Sequence, residues 1–137
     1  MKKWLIQGTD EGSVWNEAAM TALRVFAGLS MAFAHGLGKL PPSPQFVEGV
    51  EGMGFPLPVL FAWGASLAEF VGGLLLAVGL LTKPAALSIA LTMVVAAFVA
   101  HAADPFQRKE MALLYFFICL IFAVRGAGKW SVDRRLS

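Results

Sequence analysis

The sequence predicts an all-α, polytopic membrane protein built as an antiparallel bundle of four transmembrane helices. Three observations predict it. The chain of 137 residues is 58% hydrophobic and only 15% charged, far more apolar than a soluble domain of this size. Its apolar residues fall into four long blocks, at about 17–40, 57–81, 84–103 and 109–124. Helix-stopping prolines lie between those blocks, and most of the basic residues lie outside them.

About 20 helical residues cross a hydrocarbon core of about 30 Å, a length the first three blocks reach and the fourth barely approaches. Residues 1–16 form a polar N-terminal segment ahead of the first block. That segment, the length of the block and the spans after it distinguish the block from a secretory signal, so it is expected to stay in the mature chain. Asn16 is expected to cap the first helix, and Pro41, Pro42 and Pro44 to stop it. Thr82 is expected to cap the third helix, with Pro84 in its first turn, leaving a tight hairpin at Lys83 between the second and third helices. The transmembrane domain then covers 17–125, and 126–137 form a C-terminal tail.

With four spans both termini lie on one side, together with Lys2, Lys3, Lys83, Arg125, Lys129, Arg134 and Arg135. Only Lys39, Arg108 and Lys109 lie on the other, so the positive-inside rule predicts cytoplasmic termini in the cell's inner, cytoplasmic membrane. The outer face then holds the loops 41–56 and 104–108. The first of these, with Phe46, Val50, Met53 and Phe55, reads as an amphipathic surface helix or as a lid over the outer layer.

The composition excludes other classes. A net charge of +2, most of it flanking apolar blocks, makes no nucleic-acid surface. Cys119 is the only cysteine, so one chain forms neither a disulfide nor a redox thiol pair, and Cys119 reads as a small core residue. No phosphate-binding glycine loop is present.

Two charges inside apolar blocks, Arg24 and Glu69, are the first functional candidates, because an unpaired charge at the membrane centre costs roughly 2.5–3.5 kcal/mol. Both sit near mid-span, so antiparallel neighbours would pair them, either to fix helix register or to serve a ligand or proton. Arg24, Gly28, Met31 and His35 recur on one helical stripe, so Arg24 and His35 are expected to face one cavity. Glu69 shares a face with Ala65, Gly72 and Gly73, residues small enough for close helix approach. An outer layer should contain His35, Lys39, His101 and Glu110, with Asp104 nearby. Each has a plainer reading: interfacial packing for His35, snorkelling for Lys39, water contact for His101, and a favourable dipole position for Glu110. His35 and His101 also invite a haem reading, without local ligand spacing to support it.

The runs LRVFAGLSMAFAHGLGKL at 23–40, GFPLP at 54–58, ASLAEFVGGLLLAVGLLTKPAAL at 65–87, MVVAAFVAH at 93–101, Glu110 at the start of the last helix and GAGKWSVD at 126–133 together resemble the DoxX family. The resemblance covers about 17–135. It implies a four-helix membrane protein that works as an accessory or partner subunit in redox assemblies; related DoxD-type chains form the membrane subunit of a thiosulfate:quinone oxidoreductase. It implies site residues at Arg24, His35, Lys39, Glu69, His101 and Glu110.

The reading favoured by these residues is a redox-associated subunit that binds a quinone headgroup. In it Glu69 and His35 move protons, and Arg24, Lys39, His101 and Glu110 help to hold the ligand. No cofactor motif supplies electrons, which points to a partner oxidoreductase. A noncatalytic anchor or assembly subunit, a homo-oligomer and a small-solute carrier are the alternatives. Small residues at 28, 32 and 36, and at 64, 68 and 72, suit the anchor reading; the lack of an inverted repeat counts against the carrier.

Overall fold

The computed structural model describes residues 8–137, all helices and connecting turns; Lys2 and Lys3 lie outside the described residues. The first helix, α1, covers Val14–Ser30 and continues through a π-helical stretch, Met31–Gly36, and a 3₁₀ turn, Leu37–Lys39. Its cap is Ser13, not Asn16: the Ser13 hydroxyl accepts from Asn16 N–H at 3.2 Å. Both residue types cap well, but the earlier start leaves Glu17 in the first turn, where the helix dipole favours an acid.

A short helix, α2, covers Pro44–Gly52, followed by α3, Pro58–Val78. Next come α4, Thr82–Val95, extended by a second π stretch, Ala96–Ala100, then α5, Phe106–Arg125, and α6, Val132–Leu136. Among the described residues, three helical stretches are long and apolar enough to cross a bilayer: Val14–Lys39, Pro58–Val78 and Thr82–Ala100. Helix α5 is of similar length but opens with Arg108, Lys109 and Glu110, so its apolar part begins only at Met111. Large apolar side chains such as Phe26, Leu91, Phe117 and Val124 point outward along these helices. A bilayer gives such a surface its solvent.

The close packing of α1 on α3 depends on glycine. A Cβ on Gly28 would stand 2.5 Å from Gly73 O, and one on Gly36 would overlap the Phe70 backbone. These contacts fix an antiparallel register in which Gly28 meets Gly73 and Ala77, and Gly36 meets Glu69 and Phe70. Of the two small-residue stripes in the sequence, the one at 28, 32 and 36 is therefore consumed inside the molecule. Farther from this seam, Met31, Leu76, Ile89, Met93, Cys119 and Phe122 form the core shared with α4 and α5; Cys119 is a free, buried thiol among them.

The chain after α5 is not a loose tail. Asp133 Oδ1 accepts from Leu81 N–H at 2.8 Å and Oδ2 from Thr82 N–H at 2.9 Å, so a residue about fifty positions away caps α4. Thr82 is the first residue of the helix and not its cap. Leu81 adopts a left-handed conformation, φ 49°, unusual for a branched side chain, and the carboxylate fork holds its N–H. Asp133 N–H in turn donates to Gly79 O at 2.8 Å. Glu17 Oε2 accepts from Lys129 N–H, and Lys129 Nζ donates to Gly12 O.

Partial burial raises the Asp133 carboxyl's affinity for a proton, but the hydrogen bonds from Thr82 and Leu81 and the nearby Arg24 outweigh it and hold Asp133 below the usual carboxylate range. The charged carboxylate is the form that stabilises the fold, so its contribution is present above the unfolded value of about 3.9 and is lost as pH falls below it. Asp133→Asn should destabilise the protein by about 1 kcal/mol at neutral pH. In detergent melts the gap to the parent protein should close on acidification below that value; a gap independent of pH would assign the loss to packing.

Candidate functional site

The polar centre of the bundle is an ion pair between α1 and α3. Lys39 Nζ donates to both carboxylate oxygens of Glu69, at 2.8 and 2.7 Å. The two partners differ in their access to solvent: the Glu69 side chain is 2% exposed and that of Lys39 is 36% exposed. Lys39 sits at the end of the 3₁₀ turn, and its carbonyl accepts from Ser66 Oγ at 3.1 Å, which pins the end of α1 one turn from Glu69. The Lys39 ammonium lies 5.6 Å from the centre of the Phe46 ring on α2, within cation–π range. An ammonium has three protons. The carboxylate oxygens engage two donor directions, leaving one available for another acceptor.

Arg24 does not pair with Glu69. Its Nη1 donates to Leu76 O and Ala77 O at 2.9 and 2.6 Å, and Nη2 donates to Trp130 O at 2.7 Å. The glycine contacts set Arg24 opposite the last turn of α3, roughly two turns or about 12 Å along that helix from Glu69. The expectation that both charges meet at mid-span fails because the register is offset. Leu76 and Ala77 carry terminal helix carbonyls that have few partners inside their own helix, and a buried cation at a helix C-terminus complements its dipole. Arg24 is thus a side-chain cap for α3 that also fastens the C-terminal segment. Its Nε has no hydrogen-bond partner among the described residues.

His35 lies in the first π stretch. A π turn carries an extra residue, so the α-helical phase that would align His35 with Arg24 is interrupted. Its ring packs edge-on against Tyr115 of α5, with centroids 5.4 Å apart. His101 ends the second π stretch, and its Nδ1 lies 2.6 Å from Asp104 Oδ2. The His101 hydrogen bond, opposed by slight desolvation and aided by Arg108 and Lys109, holds the Asp104 carboxyl below the usual range. Glu110 is exposed on the first turns of α5 and makes no ion pair among the described residues.

The structure therefore joins Lys39 to Glu69, sets His35 one turn before Lys39 against α5, and gives Arg24, His101 and Glu110 separate surroundings. Ser66, Tyr115 and Asp133 were not among the sequence candidates, and Phe46 was singled out only as an apolar residue of the 41–56 loop. Phe46 stands out in the sequence as an aromatic residue three positions after a capping Ser43; Asp133 carries no local signal, because its partners lie in another helix. Among the described residues no group of three or more His, Cys, Asp or Glu could hold a metal ion.

The chain is similar in sequence to other proteins. An uncharacterized protein of Haemophilus influenzae is 33% identical over 113 residues, 77% of this chain and 81% of that protein. An uncharacterized membrane protein of Mycobacterium tuberculosis is 30% identical over 140 residues, covering 87% of this chain and 82% of that one. No solved structure is a significant match. The DoxX family model matches residues 19–102, from the first turns of α1 past His101 and thus through Arg24, His35, Lys39 and Glu69. With that match over most of its length, the chain belongs to the DoxX family.

Proposed function

We propose that the protein is a membrane subunit of a redox assembly that binds a quinone headgroup at the Lys39–Glu69 pair. The observation that carries this reading is the asymmetry of the pair: a carboxylate 2% exposed, held by a lysine that still reaches the surface. A charged pair inside an apolar bundle is expensive to keep and commonly marks a ligand or proton site. A quinone carbonyl is an acceptor and would take the free donor direction of Lys39. As the ring is reduced, each carbonyl oxygen takes up a proton; Glu69 and His35 are the groups placed to relay it. The electrons come from a partner oxidoreductase. Arg24 has no part in this site, since its donors serve backbone carbonyls.

In this reading α5 completes an antiparallel four-helix bundle in the inner membrane, with both termini cytoplasmic. The basic residues Lys83, Arg125, Lys129, Arg134 and Arg135 gather at the end where the C-terminal segment folds, which is the cytoplasmic end under the positive-inside rule.

The test is binding of decylubiquinone to the protein in nanodiscs. Lys39→Met should weaken binding at least about tenfold, a loss of about 1.4 kcal/mol, while Asp133→Asn should leave it unchanged. Unaltered binding in a folded Lys39→Met protein would end the proposal. A second reading, an anchor for a partner subunit, is favoured by an apolar groove of about 450 Å³ between α3 and α4, lined by Gly64, Ala68, Gly72 and Ser88. It carries the second small-residue stripe, and a transmembrane helix would fit such a surface. Leucine at Gly64 would then release a co-purifying subunit without changing quinone binding.

A further inference from the structure

We propose that α2 is a lid over the candidate site, and that Phe46 and an incoming ligand carbonyl compete for the same face of the Lys39 ammonium. The inference rests on Lys39 being the ligand donor, but its structural basis is separate. Helix α2 is a nine-residue segment packed against α3. Pro41, Pro42 and Ser43 precede it, and Met53 and Gly54 follow, with Gly54 at φ 86°. A left-handed glycine lets the chain reverse there without the clash a side chain would bring.

One side chain of α2, Val50, is fully buried, while Gln45, Glu48 and Glu51 face outward. Phe46 is half-buried and stands over Lys39 Nζ at 5.6 Å. Glu69 takes the bidentate side of the ammonium, and the Phe46 ring lies within cation–π range of the same group. The negative face of an aromatic ring attracts a cation weakly near a surface. A carbonyl oxygen that accepts from the same N–H is the stronger partner. Binding would therefore swing Phe46 aside, with Val50 as the fixed point and the flanking proline and glycine segments as hinges. Quinone carbonyls fit this exchange because they are neutral acceptors on a flat ring that can take the place of the Phe46 ring against the lysine stem.

The experiment uses the whole protein in proteoliposomes, treated with a membrane-impermeant, amine-reactive sulfosuccinimidyl ester, with modification at each lysine followed by peptide mass spectrometry. Phe46→Ala should raise the labelling rate of Lys39 about threefold, the scale of a weak cation–π contact. Phe46→Tyr should restore the parent rate, and Lys109 should label equally in all three proteins. Equal Lys39 labelling in Phe46→Ala and the parent overturns the lid. If Phe46→Ala fails to fold, as judged by a changed Lys109 rate, Phe46→Leu replaces it and must show the same rise. Decylubiquinone affinity is read in parallel and should rise about threefold in Phe46→Ala, since the competitor is gone. A faster Lys39 rate without any quinone binding leaves the lid standing and removes the quinone assignment.

Discussion

Arg24→Met should destabilise the protein by roughly 3–5 kcal/mol in reversible unfolding from detergent or bicelles. The reason is a set of buried acceptors, not a lost ion pair. Arg24 is 1% exposed and donates to Leu76 O, Ala77 O and Trp130 O. Hydrogen bonds from a charged donor contribute about 1.5–3 kcal/mol each, and a buried acceptor left without a donor bears its full desolvation penalty. The contributions are not additive, since the freed C-terminal segment would let water reach Trp130 O. Arg24→Lys should recover only part of the loss: it keeps the charge, but a single ammonium cannot reproduce the planar fork that spans two carbonyls of α3 and one of the C-terminal segment. A change within about 0.5 kcal/mol for Arg24→Met would show that the caps are replaceable by water. Quinone binding provides the contrast, because Arg24 sits about two helical turns from Glu69 and touches none of the groups assigned to the ligand.

The two halves of the Lys39–Glu69 pair should respond unequally. Lys39→Met strands a carboxylate that is 2% exposed, and breaking one side of a buried pair typically costs about 3–5 kcal/mol. Because Lys39 is itself a third exposed and the site is only partly screened from solvent, about 2–3 kcal/mol is expected here. Glu69→Gln leaves a lysine with a flexible stem that can turn its ammonium to water or lipid headgroups, so its cost should be about 1 kcal/mol or less. The double variant Lys39→Met with Glu69→Leu removes both charges and should regain most of the stability lost by Lys39→Met, as apolar replacement of buried pairs often does. A double-mutant cycle on thermal or denaturant unfolding measures the coupling directly. Equal costs for the two single variants would mean that Lys39 is as trapped as Glu69, and would argue against ligand access through the lysine.

Several features of this molecule were legible without coordinates. Long apolar blocks announce helices of membrane-spanning length, and Pro41, Pro42, Pro44 and Pro84 bound them where a proline must. The cost of intramembrane charge singled out Arg24 and Glu69, and both proved buried. Membership of the DoxX family followed from ordered short motifs, and the family match supports it. Lys39 and His35 were also visible as polar residues near the end of the first block.

Partner choice was not legible. Periodicity is a local property: it tells which residues share a face of one helix and says nothing about how far that helix slides along its neighbour. Contacts of Gly28, Gly36 and Gly73 with opposing backbone decide that sliding, and they move Arg24 to the end of α3 and Lys39 onto Glu69. The π stretch at Met31–Gly36 breaks the phase that the sequence pattern assumes. Asp133 caps a helix about fifty residues away, a relation that leaves no trace in local spacing. Local pattern thus accounts for the membrane-length helices, their membrane-compatible surface and the set of charges that had to be satisfied. Which group satisfies each charge is settled by packing, because that choice depends on backbone approach distances of a few ångströms between segments far apart in the chain.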